Sequence, residues 1–515
     1  MGTRGGRFVR SVITGYAVLG ANAIYSIASV PLALHYLPQD EFGLWGLTSQ
    51  ISGFLALIDL GMSTALSRNL IDHKDDLSSG RYGAAISTGS LVLLSQCLIV
   101  LCLGLLFVKI GVPRMNLPGP LRTEFHLLML IQTVITAIGF LPRMFGYVLV
   151  AHQRYDLLNH AQIAQLAAGF AALWIAFKLD AGVFSVAWSN GVALLVGSLL
   201  PAFSAIQKRL FPPRESWGRP SWPLFRELFA FGRDVFWMSL GSQLIMASQT
   251  VIITQTIGVN AVATWTVCTR PFTLVIQMIW RVFDVAFPGF SEMIVRNEQK
   301  LLFRRFKSLV IFTLSLAAFM AVLFAACNRD FVELWTRGRV GWESRNDVLL
   351  ALWLLPLCTA RCHCSFVQIT KQIGAMRFIY FIEGVAFALL AIVVARWGGF
   401  SALIASSIFC GILFSSSYGI WRTSRYFRIP VREVVSWLRP MVTVLLLLSA
   451  PAAALHWTGR SLPTWAHFTL TASVLLTIGI PVLWRFGVDR DLAAEISARI
   501  PLALQPLAAK LRGRA

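Results

Sequence analysis

Five arginines interrupt stretches of sequence that are otherwise apolar and long enough to cross a membrane: Arg143, Arg233, Arg270, Arg281 and Arg361. A charge inside a bilayer costs on the order of a few kcal/mol, so it must contact a wet cavity, a partner or a ligand. The guanidinium group binds phosphate through paired, charge-assisted hydrogen bonds. These arginines are therefore candidates for binding an anion.

Four polar residues of one predicted helix lie on a single face. At about 100° per residue, and with Arg270 at 0°, Gln277 falls at about −20°, Arg281 at about +20° and Asp284 at about −40°. Arg281 and Asp284 are spaced to pair, which leaves Arg270 as the less compensated cation. Snorkelling at the cytoplasmic interface is the alternative for Arg281, whereas the depth of Arg270 favours a position on a cavity.

Arg361 is the deepest of the five arginines, near the middle of its predicted span. Glu383 on the next span is a candidate counter-charge, as is a substrate phosphate, and a purely structural salt bridge is the alternative. Arg143 follows Pro142 toward the cytoplasmic side, where interfacial anchoring and a place on the cavity are equally consistent with the sequence.

The seventh predicted span carries a second polar line. Its members recur every seven residues, which shifts them by only about 20° per step; they are Asp234, Gly241, Ser248 and Gln255. Arg233, beside Asp234, lies near the inner end and is expected to anchor the helix.

Smaller polar groups occur in the first two spans. Asn22, Tyr25 and Ser26 could donate hydrogen bonds to sugar, or could serve ordinary helix packing. Asp59 could carry a coupling proton, because an apolar site raises the proton affinity of a carboxylate. It could equally pair with a cation such as Arg68 or one on a neighbouring helix.

Composition assigns these residues to a membrane protein. Of the 515 residues, 56% are hydrophobic and 13% charged, whereas a soluble chain has about 25% charged residues. Windows of roughly 20 apolar residues mark about 14 spans. Their approximate limits are 11–37, 42–66, 84–108, 125–150, 157–177, 183–205, 231–257, 261–289, 306–327, 347–370, 377–395, 400–421, 440–457 and 466–484.

The basic residues predict the orientation. With the N-terminus inside, 30 of the 45 Lys and Arg fall in cytoplasmic segments, 10 fall in external ones and five lie within spans. This bias places both termini in the cytoplasm. The net charge of +21 does not indicate nucleic-acid binding, since no soluble module is long enough to carry it.

The eight cysteines all fall inside the windows, which argues against external disulfides. Cys358, Cys362, His363 and Cys364 include zinc-ligand types. Adjacent helical residues point about 100° apart, however, so free buried thiols are expected rather than a metal site.

The loops exclude several enzymes. The longest connection, 206–230, is basic and rich in Pro and Trp, and no loop could fold as a soluble catalytic domain. There is also no GxxxxGK[ST] motif for ATP. A transporter without a nucleotide-driven motor remains, and the protein is not expected to be an enzyme.

The two halves of the chain show a weak internal repeat. Residues 37–45 (LPQDEFGLW) lie opposite residues 257–265 (IGVNAVATW) at an offset of 220, with the Trp residues coincident. We therefore predict two six-helix lobes in parallel repeat. The predicted domains are an N-lobe at 1–205, a basic cytoplasmic linker at 206–230, a C-lobe at 231–423, helices 13 and 14 at 424–485, and a cytoplasmic interfacial tail at 486–515 held by anionic lipid.

Three segments resemble a known family. Residues 36–45 (YLPQDEFGLW), 57–68 (LIDLGMSTALSR) and 151–156 (AHQRYD) are similar to those of polysaccharide-transport flippases for O-antigen and exopolysaccharide. That family belongs to the superfamily of multidrug and toxin extrusion antiporters and lipid II flippases. The resemblance implies an all-α polytopic fold with two lobes around a central cavity, alternating access, and a groove for the lipid tail on the last two helices.

The resulting hypothesis is a flippase of the bacterial cytoplasmic membrane. It would move undecaprenyl-pyrophosphate-linked oligosaccharide to the outer leaflet, with the pyrophosphate on Arg270, Arg361 and Arg281 or Arg143. No cofactor is expected; H⁺ or Na⁺ is the candidate coupling ion, and a glycan polymerase or another assembly protein is a candidate partner. The alternatives are an ion-coupled drug or cation antiporter and, less favoured, a membrane-embedded glycan polymerase or ligase.

Overall fold

The structure is a computed structural model that describes residues 4–59, 62–74, 80–115, 117–152, 154–370, 373–458, 462–489 and 492–493. These ranges are helical and contain no β-strand. Up to the linker and just beyond it, the helices are α1 (Arg4–Tyr36), α2 (Gln39–Ala56), α3 (Met62–His73), α4 (Arg81–Leu106), α5 (Gly119–Ile138), α6 (Arg143–Ala151), α7 (Tyr155–Lys178), α8 (Ser185–Gln207), α9 (Trp222–Met246) and α10 (Ser248–Thr256). They are followed by α11 (Val259–Cys268), α12 (Arg270–Val295), α13 (Gln299–Thr336), α14 (Ser344–Ile369), α15 (Met376–Gly411), α16 (Ser417–Phe427), α17 (Val431–Ser436), α18 (Arg439–Thr458) and α19 (Thr464–Val482).

The all-α polytopic fold class is confirmed. Each predicted window overlaps at least one helix, and eleven helical segments of the described chain are long and apolar enough to cross a membrane. One of these segments, 376–427, contains two predicted spans. The count of 14 spans and the cytoplasmic termini stay predictions.

Two predicted spans of the first half are interrupted rather than continuous. The window 42–66 divides into α2, a 3₁₀ turn at Leu57–Asp59, and α3. The window 125–150 divides into α5 and α6, separated by a turn that ends at Pro142. Proline cannot donate a backbone hydrogen bond inside a helix, which explains the second break.

Three further breaks occur later in the chain. Ala247 separates α9 from α10, and Thr269 separates α11 from α12 just before Pro271. In α15, Gly399 has φ of 56° and ψ of −140°, a conformation that glycine adopts without steric cost. Gly399 therefore makes the turn between the predicted windows 377–395 and 400–421.

The chain forms two compact units, residues 1–263 and 264–515. The first unit has a fully buried core that includes Tyr82, Phe140 and Leu149. In the second unit Phe306 lies at the centre of an aromatic cluster, with its ring centroid 4.3 Å from that of Phe366 and 5.9 Å from that of Phe427. The division into lobes at residues 206–230 stays a prediction.

The segment between α8 and α9 is ordered against α4. The Tyr82 hydroxyl donates to the Leu210 carbonyl (3.3 Å), and the Ser221 amide donates to Oγ1 of Thr88 (3.0 Å). Ser221 also caps α9 by accepting a hydrogen bond from the Leu224 amide, so this helix begins before the predicted limit of residue 231. The linker is therefore part of the packed first unit.

The cysteines are free thiols, and seven of the eight are buried. Cys102 is exposed on α4, within the predicted window 84–108, and Cys358, Cys362 and Cys364 are buried free thiols. No group of three or more His, Cys, Asp or Glu side chains suited to a metal ion occurs among the described residues. Most of the predicted interfacial tail at 486–515 lies outside the described residues.

Candidate functional site

The break between α2 and α3 holds an ion pair. Nη1 of Arg143, the first residue of α6, lies 3.5 Å from Oδ1 of Asp59, and the two side chains are 33% and 21% exposed. The Arg143 guanidinium carbon also lies 3.8 Å from the centroid of the Phe140 ring. The interruption of two spans thus brings together an acid and a base that are far apart in sequence.

Neighbouring polar groups fix this pair in place. Oγ of Ser63 is hydrogen-bonded to the Asp59 carboxylate and to the Tyr147 hydroxyl. Nε2 of Gln96 donates to the backbone carbonyl of Asp59 over 2.8 Å. One backbone carbonyl of the broken span is therefore satisfied by a side chain from α4.

The predicted polar stripe of the second unit lies on α12. Arg270 begins this helix directly after the break at Thr269, and Arg281 follows three turns later; both are half-buried. Gln277, between them, is exposed. The side chain of Asp284, the predicted partner of Arg281, lies outside the described residues.

Arg361 on α14 contacts an aromatic ring. Its guanidinium carbon lies 4.9 Å from the ring centroid of Trp280 on α12, a cation–π geometry. Glu383, its predicted counter-charge, instead accepts hydrogen bonds from the backbone amide and Oγ of Ser415, each over 3.1 Å. Within the described chain no ion pair joins Arg361 to Glu383, and the contact with Trp280 brings it next to the helix that carries Arg270.

The remaining predicted site residues are dispersed. Asn22 and Tyr25 are half-buried on α1, and the Tyr25 ring packs edge-on against Phe170 with centroids 6.1 Å apart. Arg233 is exposed, as an interfacial anchor would be, while the side chain of Asp234 lies outside the described residues.

Three carboxylates lie around the turn between α1 and α2, outside the spans. The pKa of Glu41 is raised by burial and, to a smaller extent, by the negative charges of Glu124 and Asp40. Glu41 therefore holds a proton at higher pH than an isolated glutamate would.

Sequence reasoning missed Ser63, Tyr147, Gln96 and Trp280. Tyr147 lies one helical turn after Arg143, a spacing that could have indicated a shared face. Gln96 and Trp280 gave no comparable signal, because their partners come from other helices.

A family comparison covers much of this arrangement, including both broken spans and the Asp59–Arg143 pair. Residues 8–294, more than half of the chain, match the model of the family described as polysaccharide biosynthesis protein. The chain belongs to this family.

Solved structures share the fold of this polysaccharide biosynthesis protein. The lipid II flippase MurJ in an inward closed conformation is 13% identical in sequence to this chain. The structural match covers 93% of this chain and 98% of the MurJ chain, with a TM-score of 0.68. An inward-facing multidrug resistance MATE family transporter of the MOP superfamily is 14% identical, and the match covers 78% of this chain and 95% of the transporter, with a TM-score of 0.56. A MOP superfamily transporter from Pyrococcus furiosus is 14% identical, and the match covers 81% of this chain and 95% of that transporter, with a TM-score of 0.57.

No curated protein shows significant sequence similarity to the chain. The fold and the family together identify a multi-pass membrane protein of the polysaccharide biosynthesis family, with the architecture of MOP-superfamily transporters.

Proposed function

We propose that this protein is a flippase that moves undecaprenyl-pyrophosphate-linked oligosaccharide from the inner to the outer leaflet of the bacterial cytoplasmic membrane. It works by alternating access and supplies surface polysaccharide assembly. The observation that carries the proposal is the family match at residues 8–294, supported by a fold shared with a lipid II flippase over 93% of this chain.

Half-buried arginines supply the docking groups for the pyrophosphate. In the second unit these are Arg270, Arg281 and Arg361, and Trp280 holds Arg361 against α12. Guanidinium groups partly withdrawn from water bind phosphate more strongly than exposed ones, because the surrounding dielectric is lower. Arg143 in the first unit is paired with Asp59, and we assign this pair to charge balance within that unit.

An apolar cavity of the second unit offers room for part of the lipid chain. Its volume is about 410 Å³, and it is lined by α13, α14 and α18. Small residues such as Ala325, Ala351 and Ala452 form its walls, and Arg345 and His456 lie at its rim. The family resemblance implied a groove on the last two helices; this cavity involves only α18 of that pair.

The proposal also covers the ion that drives transport and the molecules with which the protein associates. We propose H⁺ or Na⁺ as the driving ion, no organic cofactor, anionic lipid at the basic cytoplasmic surface, and association with a glycan polymerase or another assembly protein. We propose transport, rather than catalysis, as the activity of this protein.

The deciding experiment measures flipping of a lipid-linked oligosaccharide in proteoliposomes. We expect Arg270→Ala and Arg361→Ala each to reduce the rate by about tenfold or more, since removing one partner of a charge-assisted pair costs about 1.5–3 kcal/mol. The Lys variants should retain part of the rate, because they keep the charge but lose bidentate geometry.

Arg114→Ala is the matched control, because Arg114 is exposed and, among the described residues, its side chain donates a hydrogen bond only to the nearby Ile110 carbonyl. Its transport rate should match that of the unmodified protein. Normal flipping by both Arg270→Ala and Arg361→Ala would refute the docking role of these arginines.

A drug or cation antiporter is the second candidate, and the shared fold with a MATE family transporter favours it. The same proteoliposomes separate the two functions. Ion-driven movement of a cationic dye without any flipping of the glycolipid would support the antiporter and contradict the flippase.

A further inference from the structure

The second unit contains a buried carboxylate that the functions proposed above do not use. Asp347, in the first turn of α14, is 0% exposed. Its Oδ1 accepts hydrogen bonds from Nδ2 of Asn328 (2.6 Å) and from Nε1 of Trp342 (2.8 Å). The Trp342 ring packs against Trp265 and Phe400, with centroids 6.3 and 5.4 Å apart, so large apolar surfaces adjoin this carboxylate.

Two oxygens of this arrangement lack a donor. Oδ2 of Asp347 and Oδ1 of Asn328 are both buried, and neither forms a hydrogen bond with any described residue. The amide of Asn328 cannot be turned over to correct this, because its Nδ2 already donates to Asp347 and to the carbonyl of Cys268 (3.2 Å). A buried acceptor left without a donor destabilises the fold.

One proton would satisfy both oxygens. A hydroxyl at Oδ2 of Asp347 could donate to Oδ1 of Asn328. The carboxyl and amide groups would then be joined by two hydrogen bonds, this one and the bond from Nδ2 of Asn328 to Oδ1 of Asp347. A hard metal ion, in contrast, requires about six oxygen ligands. The described residues provide two orphaned oxygens here and no cluster of three or more His, Cys, Asp or Glu side chains.

We infer that Asp347 is a proton-binding carboxyl whose proton resides on Oδ2 and is donated to Oδ1 of Asn328. The carboxylate takes up one proton from water at low pH and releases it as the pH rises, with no other bond made or broken. The charged and titratable groups that face it are the Cys268 thiol on α11 and Arg329 and Asp330 on α13.

The proton site is connected to the break that precedes Arg270. The second N–H of Asn328 binds the carbonyl of Cys268, the last residue of α11, and α12 begins at Arg270. Pro271 has no N–H to continue the backbone ladder across this break. Gain or loss of the proton therefore changes the hydrogen bonding of Asn328, the residue that binds the end of α11 at this break. Its role in transport depends on the proposed function, but the proton site itself does not.

Infrared difference spectroscopy of the purified full-length protein tests the inference. A pH titration should show the carbonyl band of a protonated carboxyl that shifts when aspartate is labelled with ¹³C, and Asp347→Asn should abolish this band. Asp156→Asn is the matched control: Asp156 is also buried, but Arg154 donates a hydrogen bond to each of its carboxylate oxygens. This variant should leave the band intact.

A second variant covers the case in which Asp347→Asn does not fold. Asn328→Leu removes the amide that pairs with the carboxyl group and should shift the pH at which the band disappears, whereas an unchanged titration would show that Asn328 is not the acceptor. The inference is overturned if the band of the unmodified protein does not shift when aspartate is labelled with ¹³C. It is also overturned if the band persists in folded Asp347→Asn. If the band is present but glycolipid is not flipped, the proposed function fails while the proton site stands.

Discussion

Asp59 and Arg143 illustrate how a charge is tolerated in this fold. Each lies at a helix end, where a broken span leaves space and unsatisfied backbone, and each has further contacts: Ser63 for the acid and Phe140 for the base. Partial burial strengthens such a pair but also makes either half costly alone. The two residues should therefore behave as a unit.

A double-mutant cycle tests this coupling. Asp59→Asn and Arg143→Gln should each lower the thermal stability of the purified protein, because each leaves one charge without its partner. The double variant should be less destabilised than the sum, with a coupling energy of about 0.5–3 kcal/mol. Tyr25→Phe, outside this cluster, serves as a control. If the destabilising effects of Asp59→Asn and Arg143→Gln are strictly additive in the double variant, the two residues are not coupled.

The sequence predicted the types of the site residues better than their partners. Arg270, Arg281 and Arg361 were identifiable because a cation stands out within an apolar window. Asp59 was expected to pair with Arg68 or a cation on a neighbouring helix, and its partner Arg143 lies 84 positions later. Such a contact depends on how spans pack, which helical periodicity does not encode. Asn328 and Asp347 lie at or just beyond the ends of two windows, where polar residues attract no notice.

At the level of the elements, proline and glycine account for the breaks that could have been foreseen. Pro142 and Pro271 lie next to two interruptions, and Gly399 makes a third. The break at residues 57–59 is followed in the sequence by Gly61, and there the carboxylate of Asp59 also binds Ser63 and replaces part of the helical hydrogen bonding. Local competition of this kind is visible only once the side chains are placed.

The contact between α4 and the linker gives a prediction at this scale. A methyl group on Gly83 would lie 2.8 Å from both the Ser216 carbonyl oxygen and the Trp217 Cα, so the linker would have to move. We expect Gly83→Ala to destabilise the protein by about 1–3 kcal/mol, as overpacking does. Limited proteolysis should then cut within 206–221.

Gly119→Ala is the matched control for this change. Nothing lies within 4 Å of the Cβ position at Gly119, so that variant should keep the linker protected. Equal proteolytic resistance of Gly83→Ala and the unmodified protein would show that the linker does not depend on this close approach.

For the whole molecule, the orientation in the membrane is the property that the positive charges should decide. The bias of 30 basic residues against 10 predicts that the linker faces the cytoplasm and that the loop between α13 and α14 faces outward. In a Cys102→Ser background, whose other cysteines are buried, Gly341→Cys should react with a membrane-impermeant thiol reagent in intact cells. Lys208→Cys should react only after the cells are opened; the reverse pattern would invert the predicted topology.

Only part of the organisation of the chain into two units can be predicted from its sequence. The weak repeat at an offset of 220 predicts two six-helix lobes at 1–205 and 231–423, and this division stays a prediction; the compact units of the structure are residues 1–263 and 264–515. The hydrophobic pattern placed the spans because burial in lipid demands apolar residues over a fixed length. It does not predict how the linker packs on α4, because that contact depends on individual side chains such as Tyr82 and Thr88.

The π-helical turn at Ile412–Ser416, where Glu383 binds Ser415, has a consequence for comparing this chain with its relatives. Such a turn is equivalent to one residue inserted into an α-helix. Because successive residues differ by about 100°, the insertion rotates every later position, including Thr423, whose hydroxyl is hydrogen-bonded to His363. A related sequence without the insertion must be aligned with a one-residue gap between 412 and 416; otherwise, every residue of α16 would be matched to the wrong face.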